Sequence, residues 1–250
     1  MQPASLFVCL PACLPACLPA CLSVGLSVCL SVCLSVCLSV CLSEPVPAIC
    51  ADEGGGINRP ITLVATPKLH FVEGGIFPDP NSDGTALRVS AEVEDLSGAS
   101  GSHQANFILR NSAGTVVASV EHTISTVPGS TSYSSVVLIP AAKLETWSPQ
   151  TPVLYTLTAR LGKDEVNLTT AVRVFDWKAK KAKINGQPIE LQGFSHHPSF
   201  AGMGAMTNPR LGLFLSQTAK ALGVNFWRMS HNPYEDTLYE ILTTVGVMCW

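Results

Sequence analysis

The stretch that decides the fold runs from Ile189 to Trp250 and contains two similar segments, IELQGFSHHP (189–198) and NFWRMSHNP (225–233). Each segment is an apolar run of strand length that ends in histidine and proline. Amphipathic helices are predicted after both segments, and residues 247–250 begin a third apolar strand. Strands and helices that alternate at this spacing are typical of βα units on a parallel sheet.

The two predicted helices have clear start signals. Asn208 supplies an N-cap and Pro209 the first position of the first helix, and Asn232–Pro233 open the second, with Glu235 near its third position. Gly246 is predicted to close the second helix. The apolar stripes are Leu211, Phe214, Leu215, Thr218, Ala219 and Leu222 in the first helix, and Leu238, Ile241, Leu242 and Val245 in the second.

Histidines follow both strands at the point where each strand ends. In a (β/α)8 barrel the carboxyl ends of all strands face one mouth, which carries the chemistry. We therefore expect His196, His197 and His231 to lie near one rim. The alternative for each histidine is a structural role, in which the ring caps or hydrogen-bonds a turn.

The order of these motifs resembles the opening of the catalytic barrel in family-two glycoside hydrolases, the group of β-galactosidases, β-glucuronidases and β-mannosidases. The resemblance rests on INGQPIELQG (184–193), a following histidine, and NFWRMSHNP (225–233). The run HPSFAGMG (197–204) is most similar to β-galactosidase-like members. The resemblance implies a TIM barrel and a glycosidase that acts on β-galactosides or related β-glycosides with retention of configuration.

Short alternating runs between residues 61 and 175 predict an immunoglobulin-like β-sandwich of seven strands. Hairpin turns are predicted at 111–114 and 162–164. The segment LETWSPQTPVLYTL (144–157) resembles the end of the sandwich domain in the same hydrolases, and we expect Trp147 and Tyr155 to be core and domain-joint residues. The predicted strands are 61–66, 86–94, 104–111, 115–121, 133–139, 153–161 and 166–175.

The resemblance also implies roles for individual residues. Arg228 matches the arginine that orients the catalytic nucleophile, and His197 and His231 match histidines that contact the sugar. These three residues are the predicted substrate-binding site. Ser199 stands where similar members carry an acidic residue, which leaves the sugar specificity open. Trp227 should point away from the mouth toward the helix layer, by strand alternation.

A retaining glycosidase requires two carboxyl groups about 5 to 5.5 Å apart. The resemblance implies that they follow the fourth and the seventh strand of the barrel, so we expect them beyond residue 250. Glu190 is predicted inside the first strand, and Glu235 and Asp236 in the first turn of a helix, where a carboxylate has a structural role. The chain alone should therefore be inactive, and residues 177–250 alone should not form a stable barrel fragment.

The N-terminal residues 9–43 repeat a four-residue unit, Cys-Leu-Pro-Ala and then Cys-Leu-Ser-Val. A tetranucleotide DNA repeat encodes such a period in any reading frame, so we interpret the segment as a translated DNA repeat. Residues 20–43 lack charge and proline, and a signal or membrane segment is the alternative. The cysteine spacing matches no zinc-ligand pattern. Outside the repeat, Cys249 is expected to be an inert core thiol.

The formal net charge of −3 and the absence of a basic stripe give no reason to expect a nucleic-acid partner. No metal or cofactor site is predicted, and the oligomeric state and compartment stay open. The sequence thus predicts a low-complexity region (1–59), a sandwich (60–176) and the first βαβαβ portion of a glycosidase barrel (177–250). The alternatives are a non-catalytic carbohydrate- or protein-binding module and a membrane-tethered protein.

Overall fold

The computed structural model describes residues 61–81, 86–98, 100–140, 144–178, 181–197, 200, 208–230 and 233–250. The chain divides into two compact units. The unit that contains the helices and strands described below spans Thr66–His196 and Pro209–Trp250. This unit holds both the predicted sandwich and the predicted βαβαβ segment. The repeat at 9–43, Ser199 and His231 lie outside the described residues.

Seven antiparallel strands form the sandwich, as the sequence predicts. One sheet has the order β1-β2-β5 and the other the order β4-β3-β6-β7. The strands are β1 (Leu69–Pro80), β2 (Ala86–Asp95), β3 (Gly101–Arg110), β4 (Val116–Thr126), β5 (Thr131–Pro140), β6 (Tyr155–Leu161) and β7 (Asp164–Thr170).

The sandwich core comes from alternate residues of the central strands. Along β2 the inward-facing side chains are Leu87, Val89, Ala91 and Val93, all at most 1% exposed. A strand with one face on the core must alternate in this way, because successive side chains point to opposite faces. Full burial of one leucine or valine side chain contributes about 1.5–3 kcal/mol. The inner faces of β3 and β6 complete the same core.

The sequence prediction is wrong for the first strand, and the last predicted strand, 166–175, ends at Thr170 instead. Residues 61–67 form no strand, and β1 begins at Leu69 instead. Its sequence contains glycines and prolines that resemble a turn, but Gly74 at φ 67° lies in a bulge where the register shifts between Phe71 and Ile76. Proline is tolerated in this strand because β1 lies at a sheet edge.

Both predicted hairpin turns are confirmed. The turn between β3 and β4 is closed by hydrogen bonds at Asn111, and Gly114 has a φ of 78°. The turn between β6 and β7 has Gly162 at φ 59° and pairs Leu161 with Asp164. Positive φ at these positions explains why glycine occurs in both turns.

The carboxylate of Asp95, the last residue of β2, is buried in the sandwich. Asp95 is 0% exposed and accepts hydrogen bonds from the Ser97 backbone N–H at 2.8 Å and from Thr126 Oγ1 at 2.7 Å. The His103 ring nitrogen Nε2 lies 3.3 Å from the same carboxylate. The hydrogen bonds from Ser97, followed by those from Thr126 and His103, hold the pKa of Asp95 well below its usual range.

The chain after the sandwich forms a small antiparallel sheet and then a parallel βαβαβ unit with the strand order β11-β12-β13. The small sheet consists of β8 (Phe175–Lys178), β9 (Lys181–Ile184) and β10 (Gln187–Pro188). The parallel unit consists of β11 (Gly193–His196), α1 (Pro209–Ala221), β12 (Phe226–Met229), α2 (Asp236–Val245) and β13 (Met248–Cys249).

Gly193 allows the first two parallel strands to approach each other. A Cβ atom at this position would lie 1.8 Å from the carbonyl oxygen of Phe226, which is an impossible contact. Any larger residue would therefore force β11 and β12 apart. Glu190 precedes β11 and is exposed, so the prediction that it lies inside the strand is wrong.

The buried face of α1 differs from the predicted stripe. Its buried residues are the small ones, Gly212, Ser216 and Ala219, whereas Phe214 is 62% and Leu222 is 79% exposed. Close helix packing explains this outcome, because a Cβ on Gly212 would lie 3.2 Å from Leu238 of α2. Small residues give α1 its contact with α2 at short range.

Helix α2 starts later than predicted and ends where predicted. Its N-cap is Glu235, with extended backbone and no side-chain cap, so the predicted start at Pro233 is wrong. Leu238 and Leu242 are buried, as the predicted stripe requires. Gly246 ends the helix in the left-handed conformation at φ 84°, and its N–H donates to the Leu242 carbonyl at 3.0 Å.

Trp147 joins the sandwich to the βαβαβ unit, which confirms its predicted place at the domain joint. The indole is 1% exposed, and its Nε1–H donates to the Thr243 carbonyl at 2.8 Å, near the end of α2. The Asn185 side chain donates to the Trp147 carbonyl at 2.9 Å. Lys220 adds a second link, because its ammonium donates to the carbonyls of Pro149 and Gly246.

No helix within the described ranges is long and apolar enough to cross a bilayer.

Candidate functional site

Parallel pairing places the ends of β11 and β12 side by side. Ser195 lies opposite Arg228, and His196 lies opposite Met229. Ser230 continues the alignment, since its N–H donates to the His196 carbonyl at 3.0 Å. The carboxyl ends of these strands form a single edge, which is where parallel sheets carry their functional side chains.

Arg228 is held at this edge by two hydroxyl groups. Its Nη1 donates to Ser195 Oγ at 3.2 Å and to Ser230 Oγ at 3.3 Å. The two serine hydroxyls also contact each other, and Ser230 is 2% exposed. The guanidinium is therefore held at one end by two neutral hydroxyl oxygens. Such a group can hold a carboxylate or another anion in a defined orientation.

Strand alternation separates Arg228 from its neighbour Trp227. Trp227 is 1% exposed and packs in the cluster that contains Leu238 and Leu242 of α2. Its predicted orientation toward the helix layer is confirmed. Arg228 lies on the opposite face of β12, where it lines a cavity together with Phe226.

His196 contacts two aromatic side chains, those of Trp227 and Tyr234. Its ring centre lies 5.1 Å from that of Trp227, and the Tyr234 hydroxyl donates to the His196 carbonyl. The same hydroxyl is 3.4 Å from the ring nitrogen Nδ1. Burial raises the pKa of Tyr234 to about 12, so the phenol stays protonated as a hydrogen-bond donor. These contacts favour the structural alternative for His196.

The structure gives less information on the two other predicted site residues, His197 and His231. His197 is exposed and follows β11 directly in the chain. His231 lies outside the described residues. The roles of His197, His231 and Arg228 in substrate binding therefore stay predictions.

The nearby acidic residues have positions that fit structural roles. Glu235 is the N-cap of α2 and Asp236 lies in its first turn, where a negative charge is stabilised by the free N–H groups. Glu190 is exposed ahead of β11. The described residues contain no group of three or more histidine, cysteine, aspartate or glutamate side chains that could hold a metal ion.

The sequence reasoning missed the partners of Arg228 and His196. Ser195 and Ser230 were visible in the two motifs, and strand alternation places Ser195, Arg228 and Ser230 near one edge once the register is known. Tyr234 carried no sequence signal, because its contact with His196 depends on the chain between β12 and α2.

Residues 71–175 match the family model for glycosyl hydrolases family 2, so the predicted resemblance to this family is confirmed. The chain is similar to a β-galactosidase of Rhizobium meliloti, with 26% identity over 77% of this chain and 26% of that protein. It is also 29% identical to a β-galactosidase of Bacteroides ovatus, over 40% of this chain and 12% of that protein.

The chain is also similar to solved structures of β-glucuronidases. A β-glucuronidase of Bacteroides uniformis aligns with a TM-score of 0.71 and 27% identity, over 81% of this chain and 26% of that chain. A β-glucuronidase of Faecalibacterium prausnitzii aligns with a TM-score of 0.63 and 27% identity, over 78% of this chain and 30% of that chain. The chain spans about a quarter or less of the length of the first curated relatives it matches.

Proposed function

We propose that this chain is part of a glycoside hydrolase that cleaves β-galactosides or related β-glycosides by a retaining double displacement. In this proposal residues 177–250 form the first βαβαβ portion of a (β/α)8 barrel. The observation that carries the proposal is the fixed guanidinium of Arg228 at the carboxyl ends of β11 and β12. The similarity to β-galactosidases and β-glucuronidases supports it.

Arg228 has the role of orienting the nucleophilic carboxylate and keeping it ionised. A guanidinium within hydrogen-bond reach lowers the pKa of a carboxyl group, since it favours the charged form. Ser195 and Ser230 accept from Nη1 and so hold the guanidinium at the strand ends, in the orientation that this role requires. In this proposal His197 and His231 contact sugar hydroxyls through their imidazole rings.

The two catalytic carboxyl groups come from the remainder of the barrel. One protonates the leaving oxygen and the other attacks the anomeric carbon, which forms a glycosyl-enzyme intermediate that water then hydrolyses. The first group acts as acid in the first step and as base in the second. Residues 1–250 alone should therefore turn over no glycoside.

The test begins with the messenger RNA, sequenced across both ends of the reading frame. The longest encoded product is then assayed with aryl β-D-galactoside and aryl β-D-glucuronide. We expect hydrolysis of at least one substrate, and a fall in kcat of at least about 100-fold in Arg228→Gln, as for loss of one group that stabilises charge in the transition state. Arg88→Gln, an exposed arginine on β2, is the matched control.

Two results would contradict the proposal. The first is a message that stops after Trp250, in which case binding by the sandwich would be the function to examine. The second is an extended product that hydrolyses neither glycoside, or one whose Arg228→Gln variant is as active as the Arg88→Gln control.

A further inference from the structure

Asn185 and Gly186 form the two-residue turn between β9 and β10, with Ile184 paired to Gln187 on either side. Both turn residues have positive φ, 51° for Asn185 and 78° for Gly186. In the described ranges Asn185 is the one residue other than glycine with this conformation. Asparagine tolerates positive φ better than most residues, and glycine adopts it freely. Asparagine precedes glycine at this position alone in the whole sequence.

The Asn185 side chain is held at both of its polar atoms. Its Oδ1 accepts from the Val174 N–H at 3.0 Å, and its Nδ2 donates to the Trp147 carbonyl at 2.9 Å. The Asn185 N–H also donates to the Val174 carbonyl at 2.8 Å. The side chain thus ties the turn to the segment around Trp147, whose indole donates to the Thr243 carbonyl near the end of α2.

An asparagine followed by glycine can lose its side-chain amide in water without an enzyme. The Gly186 nitrogen, once its proton has passed to hydroxide, attacks Cγ of Asn185 and forms a C–N bond. The bond between Cγ and Nδ2 then breaks, and the amide nitrogen takes a proton from water and leaves as ammonia. Water opens the resulting imide at the side-chain carbonyl to give aspartate, or at the main-chain carbonyl to give isoaspartate. Glycine favours the attack because no side chain hinders its nitrogen.

The folded turn opposes this reaction. Attack converts the planar Cγ into a tetrahedral centre, so Oδ1 and Nδ2 cannot both keep their positions against Val174 and Trp147. Asn185 is half-buried and Gly186 is exposed, so water and hydroxide reach the turn. The rate should consequently follow the frequency with which the contact at Trp147 opens, as for any reaction that requires local opening.

We propose that Asn185 is a deamidation site, that opening of the joint at Trp147 sets its rate, and that its product weakens the joint. Deamidation puts a carboxylate oxygen in place of Nδ2, so an acceptor faces the Trp147 carbonyl and the hydrogen bond is lost. Isoaspartate also adds a methylene to the main chain of a two-residue turn, which disturbs the pairing of Ile184 with Gln187. The modified chain therefore opens more readily than the parent.

Deamidation is followed on the 1–250 chain by mass spectrometry of the peptide that trypsin releases between Lys183 and Arg210. Replacement of the amide by an acid raises the mass, and fragmentation assigns the change to Asn185. Asn208 is the internal control, because Pro209 has no N–H and so cannot attack in this way. We expect Asn185 to deamidate at least about 10-fold faster in unfolding guanidinium chloride than in buffer at the same pH. Equal rates in the two solutions, or an unmodified Asn185 in both, would overturn the proposal.

Two tryptophan variants test whether the joint sets the rate. Trp147→Ala keeps the carbonyl that Asn185 contacts but removes the indole, and should speed deamidation in buffer at least about 10-fold. Trp177→Ala is the matched control, because Trp177 is 62% exposed, and should leave the rate unchanged. If Trp147→Ala does not fold, the comparison of folded and unfolded parent chain still decides. Equal rates in the two variants would contradict the proposed role of the joint.

The product is tested through Asn185→Asp. This variant should lower the urea midpoint by at least about 0.5 M, since it replaces a donor by an acceptor opposite the Trp147 carbonyl. Asn111→Asp is the control, because Asn111 Oδ1 accepts from the Ala113 and Thr115 N–H groups, which aspartate also does. Equal midpoints for the two variants would show that the product does not weaken the joint. None of these measurements depends on glycosidase activity, so the proposed function stands or falls separately.

Discussion

Replacing Trp147 with alanine should unfold the link between the sandwich and the βαβαβ unit. The change removes a side chain that is 1% exposed, its hydrogen bond to the Thr243 carbonyl and its stacking with Arg173. Large-to-small replacement of a buried tryptophan costs about 3–5 kcal/mol. We take about 4 kcal/mol, a large part of the total stability of about 5–15 kcal/mol expected for a domain.

The loss is measured as a shift in urea unfolding. With an m-value of about 2 kcal/mol/M, a loss of about 4 kcal/mol lowers the urea midpoint by about 2 M. Trp147→Phe keeps most of the buried ring but loses the N–H donor, and should cost about 1–2 kcal/mol. Trp177→Ala is the matched control, because Trp177 is 62% exposed, and its midpoint should shift by less than about 0.5 M.

Hydrogen exchange shows where the stability is lost. In Trp147→Ala the amides of α2 and β13 should exchange faster than those of β2 and β3, since the indole holds the end of α2. Equal midpoint shifts for Trp147→Ala and Trp177→Ala would refute the reasoning. So would unchanged exchange in α2.

Three further predictions concern single positions. Gly193→Ala should abolish the pairing of β11 with β12, because its Cβ would overlap the Phe226 carbonyl; soluble protein with native exchange protection in β12 would contradict this. Hydrogen bonds from Ser97 keep the pKa of Asp95 below its ordinary value of 3.8, so its carboxylate stabilises the fold above that pH and this contribution is lost as the pH falls below it. Asp95→Asn should accordingly flatten the fall of the melting temperature between about pH 5 and pH 2, and an acid limb as steep as in the parent chain would argue against this role. Lys220→Met should lower the urea midpoint by about 0.5–1.5 M, since it removes donations from a charged group to two backbone carbonyls, and an unchanged midpoint would show that water replaces the ammonium.

The sequence predicts most of the architecture where local patterns and long-range packing agree. The alternation in β2 and the stop signal at Gly246 are examples, because each depends on a residue's own conformation or on one buried face. The resemblance on 184–233 also located Arg228 at a strand end. These features need no knowledge of which element packs against which.

The sequence predictions fail at positions whose structure depends on the element that packs against them. The first strand was predicted at 61–66, but the strand lies at Leu69–Pro80, where the glycines fall in a bulge of an edge strand. In α1 the large apolar side chains predict the buried face, yet the short distance to α2 selects Gly212, Ser216 and Ala219. The partners of Arg228 likewise depended on register, which periodicity alone does not determine.

The hydrogen bond from Trp147 to Thr243 spans 96 positions of the chain, and this separation matters during synthesis. At about 5–20 residues per second, the ribosome needs roughly 5–20 s to deliver Thr243 after Trp147 has been made. During that interval the Trp147 indole has no partner for its N–H, because helix α2 has not yet been translated. We expect chaperones to bind Trp147 during this interval. Slow codons between Trp147 and Thr243 should lengthen the time for which the indole is exposed.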